Sequence, residues 1–269
     1  MAKELENFSL SGESLNMTME GLPQHWVTSV GAAVMLLFFI EGLLGNLWIL
    51  AAIITRRELW NVINVFIVSL CLNDMLVLCL VVFFIIQSYL WKQWTAGETM
   101  CRLNPEFTVF FTGCLLWHSL LIAIHRYFVV AHNNAYKRMS KWVYVTSVLV
   151  LTRLIPLACA FPGFISSNTS GYVPKLLCCI FLPNQAGRII SMTFIEIVLP
   201  CIAVIVCYFL IFIFVMRIGR QVQNTNFIMI REIQITKMFG VIFMMILLSF
   251  APYAVVRNMD KTNYISGDI

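Results

Sequence analysis

The chain has 269 residues, of which 60% are hydrophobic and 12% charged, with a formal net charge of +5. A mean hydropathy of +0.86 excludes a soluble globular domain, which at this length has no interior large enough for so much apolar surface. The basic residues are dispersed among apolar runs rather than clustered, which argues against nucleic acid as a partner and for membrane lipid as the surroundings.

Residues 1–26 form a polar, acidic tail carrying Glu4, Glu6, Glu13 and Glu20. It lacks the basic start and short apolar run of a signal peptide, so the first membrane helix is expected to act as its own insertion signal. Apolar runs follow at about 27–55, 62–90, 103–127, 142–165, 189–216 and 235–257. Each is long enough to span a bilayer, and because the runs are continuous rather than alternating they predict helices, not barrel strands. The expected fold is all-α: a polytopic transmembrane helical bundle over residues 27–258, followed by a polar tail at 259–269.

Orientation has two independent indicators. An external N-terminus places Arg56, Arg57, Arg126, Lys137, Arg138, Lys141, Arg217, Arg220, Arg231 and Lys237 on the inner side, against Glu58 and Glu232. That is the bias expected of cytoplasmic segments. The glycosylation sequons at Asn7, Asn16 and Asn168 all fall on the side this assigns to the exterior. The expectation is a multi-pass plasma-membrane glycoprotein with its N-terminus outside.

The third run opens at Cys101 and closes on His125-Arg126-Tyr127. A charged side chain is costly in hydrocarbon, so a lone arginine there must sit at a boundary or be paired. As a helix, Cys101 to Arg126 reaches about 37 Å, slightly beyond a ~30 Å hydrocarbon core, which puts the cysteine at one face and the arginine at the other. The loop at about 166–188 contains Cys178-Cys179. In an oxidising exterior either of these can pair with Cys101, which would pin the loop over the outer end of the third run. The nine cysteines show no metal-ligand spacing, and no metal is expected. There is no phosphate-cradling glycine loop and no nucleophile–base pattern, so the chain is not read as an enzyme.

Six features stand in a specific order: Gly45-Asn46 in the first run; Leu70-Cys71-Leu72-Asn73-Asp74 in the second; Trp94 ahead of Cys101; His125-Arg126-Tyr127; Pro200 with Tyr208; and Ser249-Phe250-Ala251-Pro252. Together they resemble the rhodopsin-like (class A) G-protein-coupled receptors over about residues 27–258. The Arg-Tyr-x-x-x-x-His run ending at His132 is similar to the melatonin-receptor-like and related orphan branch. The chain departs from the family pattern at His125, which replaces an acid, and at Phe250, which replaces a tryptophan. Leu115 stands where a serine is common, and Arg153 lies near the level of a fourth-span tryptophan. No seventh apolar run follows Asp260 and the Asn-Pro-x-x-Tyr segment is missing. The expectation is therefore six spans of seven, in a fragment, a truncated gene model or a shortened isoform.

The resemblance implies roles. Arg126, with His125 and Tyr127, would be the G-protein switch, working with Tyr208 and with Glu232, whose pairing with Arg126 would bias the closed state. Asp74 would be a sodium-linked carboxylate, an assignment that Leu115 weakens; otherwise Asp74 and Asn46 are inward hydrogen-bonding groups. A pocket opening outward would draw on Thr108, Thr112, Glu196, Phe250, Tyr253 and Arg257, with Arg257 facing Glu196 or an anionic ligand. Thr108 stands where amine receptors carry an aspartate, which disfavours a monoamine. Pro252 would hinge the sixth span. The partners implied are an extracellular ligand and a heterotrimeric G protein. Glu41 and Arg153, charged in the middle of apolar runs, keep a small transporter or channel open as a different class, although the two halves show no self-similarity. A non-signalling truncated receptor that retains full-length partners is a third reading.

Overall fold

The structure, a computed structural model, describes residues 25–131, 141–166 and 169–221, together with Gln234, Lys237, Gly240, Val241 and Met244. Among the described residues, five helices are long and apolar enough to cross a membrane. They are α1 (His25–Thr55), α2 (Val62–Trp91, with a π turn at Leu78–Val82), α3 (Gly97–Ala131), α4 (Trp142–Ile165) and α5. The last is built from Ala186–Thr193, a π turn at Phe194–Val198, and Leu199–Gln221. Pro200 has no N–H to donate to the Glu196 carbonyl, and its ring crowds that carbonyl, so the helix widens one turn ahead of it. The chain is thus a helical multi-pass membrane protein, its first five apolar runs each seated in one of these helices. The sixth run, 235–257, lies largely outside the described residues; Lys237, Gly240, Val241 and Met244 within it are helical.

The segment after α4 departs from the all-α expectation. It folds as an antiparallel hairpin of β1 (Ser170–Val173) and β2 (Cys178–Phe181), with Tyr172 opposite Cys179 and Val173 opposite Cys178. Pro174 opens the turn, Leu177 closes it in the left-handed region at φ 52°, and the flanking Tyr-Val and Ile-Phe pairs favour a pleated backbone.

The chain divides into two compact units, one of residues up to His118 with Leu149–Val198, the other of Ser119–Val148 with the residues from Leu199 onward. In the first unit α1 packs on α2 through missing side chains. A Cβ on Gly31 would stand 3.1 Å from the Tyr89 ring, and one on Gly42 3.1 Å from a Leu78 methyl, so only small residues allow this approach. Asn61 caps α2 by accepting from the Asn64 N–H at 3.1 Å, and the Trp60 indole donates back to the Ile53 carbonyl at 3.0 Å. α2 and α3 are tied at three levels by side chains on backbone carbonyls: Asn104 Nδ2 to Val81 (3.3 Å), Asn73 Nδ2 to Phe111 (3.4 Å) and His118 Nε2 to Phe66 (3.1 Å). Such bonds satisfy polar groups that water does not reach. In the second unit α3 buries Leu120, Leu121, Ile122 and Ala123, α4 buries Val145, and α5 buries Val204 and Ile211.

Candidate functional site

Cys101 is bridged to Cys179, with Cα atoms 5.3 Å apart. Adjacent side chains on a strand point to opposite faces, so Cys178 is directed elsewhere and is a free, half-buried thiol. Burial pushes that thiol up, which keeps it protonated at neutral pH. The Ser170 hydroxyl donates to the Arg102 carbonyl at 3.0 Å, fixing the other strand to the start of α3. An open groove of about 560 Å3 lies there, lined among others by Trp94, Glu98, Arg102 and Tyr172.

Beneath the hairpin is a feature the sequence reading missed. Glu106 on α3 is fully buried and takes both arms of Arg188, at the start of α5: Nη1 to Oε2 at 3.2 Å and Nη2 to Oε1 at 2.5 Å. This bidentate fork is the strongest geometry for such a pair. The Phe181 ring of β2 lies over the guanidinium, 5.1 Å from its carbon, adding a cation–π contact. Gly163 on α4 makes the room, because a Cβ there would overlap both the Glu106 carboxylate and the Arg188 guanidinium.

Deeper in the first unit, Glu196 is 2% exposed. It lies across Gly113, where a Cβ would come within 2.8 Å of its Oε2 and 3.0 Å of Pro156. Gly113 and Glu106 are seven positions apart and share one face of α3, while Thr108 faces roughly the opposite way. Thr108 is exposed and returns its hydroxyl to the Asn104 carbonyl at 2.8 Å; Thr112 is half-buried. Glu196 is therefore set against α3 and α4. Phe250, Tyr253 and Arg257, the other expected pocket residues, lie outside the described residues, as do Pro252, Glu232, Asn7, Asn16 and Asn168.

Arg153 had no account in the sequence, and the structure supplies one. Its Nη1 donates to Asn73 Oδ1 at 2.8 Å, and its Nη2 to both the carbonyl (3.0 Å) and the hydroxyl (2.8 Å) of Ser69. One α4 side chain thereby reaches α2 at two positions one turn apart. Asp74 is half-buried beside this cluster in sequence, and no described hydrogen bond or ion pair joins it to Arg153. Asn46 does not join this cluster through any described bond; its amide donates to the Gly42 carbonyl of its own helix at 2.8 Å. Glu41 is exposed on α1. Among the described residues no group of His, Cys, Asp and Glu could hold a metal ion.

In the second unit His125 and Arg126 are each 4% exposed, and Tyr127 is half-buried with its ring 5.5 Å from that of Phe128. The Arg126 charge acts on the Tyr208 hydroxyl of α5, and a Cβ on Gly240 would stand 3.8 Å from the Tyr208 ring.

The profile of the family described as "7 transmembrane receptor (rhodopsin family)" matches residues 45–266. Among curated proteins, melatonin receptor type 1B-A of Danio rerio is 30% identical over 208 residues, covering 74% of this chain and 69% of that receptor. Melatonin receptor type 1A of Gallus gallus is 27% identical over 234 residues, covering 80% and 64% respectively. The G-protein coupled receptor moody of Drosophila pseudoobscura pseudoobscura is 28% identical over 191 residues, covering 70% of this chain and 28% of its own.

Proposed function

Because the chain belongs to the rhodopsin family of seven-transmembrane receptors, on its melatonin-receptor-like branch, we propose that it is a plasma-membrane receptor that passes an extracellular signal to a heterotrimeric G protein. Arg126 is the residue that couples. The observation carrying this reading is a permanently charged side chain, 4% exposed, acting on the Tyr208 hydroxyl at the end of an apolar helix. Such a group is costly to bury and stays buried only in a conformation that compensates it. A ligand preferring the conformation that releases Arg126 shifts the population toward the coupling-competent state. Glu232, in the segment leading to the sixth span, is the acidic partner that would favour the closed state. The N-terminus lies outside, with Asn7, Asn16 and Asn168 as glycan acceptors, and the signal travels by conformational change rather than by chemistry in this chain. A monoamine ligand is disfavoured, since Thr108 offers no carboxylate; the melatonin receptors among its relatives make melatonin the first probe.

Transport loses its motivation in Arg153, whose guanidinium is committed to Asn73 and Ser69. The test is guanine-nucleotide exchange on a heterotrimeric G protein by the chain in lipid nanodiscs, with and without melatonin. Exchange above the rate of the G protein alone is expected. Arg126→Ala lowers the increment by tenfold or more, the change given by about 1.4 kcal/mol of lost coupling. Equal rates for the two proteins would remove Arg126 from the mechanism.

A further inference from the structure

The groove of about 560 Å3 beside the hairpin has walls that are tied to one another. The Cys101–Cys179 bond joins β2 to α3, and the Ser170 hydroxyl on the Arg102 carbonyl joins β1 to the same turn. The Trp94 indole donates to the Gly97 carbonyl at 2.9 Å, and its ring lies 6.5 Å from that of Phe84. Trp94 and Tyr172, both half-buried, give the groove its aromatic surface. Arg102 gives it a cation. Its Nε is buried and bonded to nothing, and among the described residues no hydrogen bond or ion pair occupies its guanidinium. An orphaned buried donor is costly, and in a native protein it calls for an explanation. Glu98, one turn earlier on α3, is exposed and lines the same groove. Residues four apart on a helix are neighbours, yet no described ion pair joins these two.

We propose that this groove binds an aromatic α-amino acid, its carboxylate on Arg102, its ammonium toward Glu98 and its ring against Trp94 and Tyr172. A guanidinium presents a planar fork of donors that matches a carboxylate, and its charge is permanent. Glu98 repels a simple anion and Arg102 a simple amine, so either charge alone meets one favourable and one unfavourable group. An α-amino acid carries both charges on neighbouring atoms and so satisfies two side chains one helical turn apart. A flat ring is the natural complement of two aromatic walls, which favour offset or edge contacts. The volume lies in the range of small-molecule sites. A disulfide forms on the oxidising side of a membrane, so the ligand is an extracellular one. Thr108, Thr112 and Glu196 do not line the groove, which makes it a site additional to the pocket expected for the signalling ligand.

The test is isothermal titration of the purified chain in lipid nanodiscs, read against empty nanodiscs. The probes are L-phenylalanine, 3-phenylpropionate (no ammonium), phenethylamine (no carboxylate) and L-alanine (no ring). Saturable binding of L-phenylalanine is expected, with each of the other three weaker by about tenfold or more, the scale of one lost contact. Absence of saturable L-phenylalanine binding overturns the proposal, as does equal or tighter binding of any of the other three. Arg102→Gln is expected to weaken L-phenylalanine by about tenfold. Glu98→Gln is expected to bring L-phenylalanine and 3-phenylpropionate to similar affinity. Wild-type affinity in the first variant, or an undiminished preference in the second, also overturns it. If Arg102→Gln does not fold, the four wild-type titrations decide the matter alone. No G protein enters the experiment, so failure here is distinguishable from failure of coupling through Arg126.

Discussion

Gly163→Ala lowers the melting temperature of the purified chain by many degrees or prevents its accumulation. This runs against the usual effect, since replacing glycine by alanine inside a helix ordinarily stabilises by about 0.5–1 kcal/mol. Here the added methyl would occupy the space of the Glu106 carboxylate and the Arg188 guanidinium. Neither group can retreat without opening the fork, and Glu106 has no exposure through which water could replace its partner. Breaking a buried ion pair while leaving one charge in place costs about 3–5 kcal/mol. Replacing both partners by apolar groups is far cheaper, so Gly163→Ala should be tolerated in a Glu106→Leu, Arg188→Met background. Melting curves of the single and combined variants check this. A single Gly163→Ala variant as stable as wild type would mean that α4 does not press on the pair.

Cys179→Ser costs about 4–5 kcal/mol by the chain-entropy model, because the bond it removes closes residues 78 apart in sequence. Cys178→Ser leaves the melting temperature near that of wild type. Cys178 does not rescue its neighbour: it pairs with Val173 in the hairpin, whereas Cys179 pairs with Tyr172. Bringing its sulfur to Cys101 requires the strand to turn over, exchanging the inward and outward sets of side chains. Surface abundance and peptide mapping under non-reducing conditions read the outcome. A Cys101–Cys178 bond forming in Cys179→Ser with stability intact would contradict this register.

The spans were legible because crossing a bilayer is a property of composition and length. The run at 142–165 coincides with α4, and that at 62–90 falls one residue short of the end of α2. The helix ends were less so: α3 begins at Gly97, ahead of the apolar stretch, because its outer turns are held by the disulfide and the Glu106 pair rather than by hydrophobicity. The hairpin was hidden because four-residue strands with serine and glycine carry little β signal. Depth along a helix can be read from sequence, but which neighbour a side chain meets cannot. Arg153 could therefore be identified as an anomaly without its partners Asn73 and Ser69 on another span. Glu106 lies inside the third apolar run and Arg188 in the segment expected as an external loop, so nothing in the sequence marks the two as a pair. The choice between Cys178 and Cys179 likewise required the register of the strand.

The central claim is that α3 crosses the membrane with Cys101 outside and Arg126 at the cytosolic end. It is tested most directly by placing one epitope in the hairpin turn after Lys175 and another between Asn133 and Asn134, and staining cells before and after permeabilisation. The hairpin epitope should bind antibody on intact cells, and the second only once the membrane is opened. Binding of the second epitope on intact cells, with the first hidden, would reverse the orientation and remove the basis for coupling through Arg126.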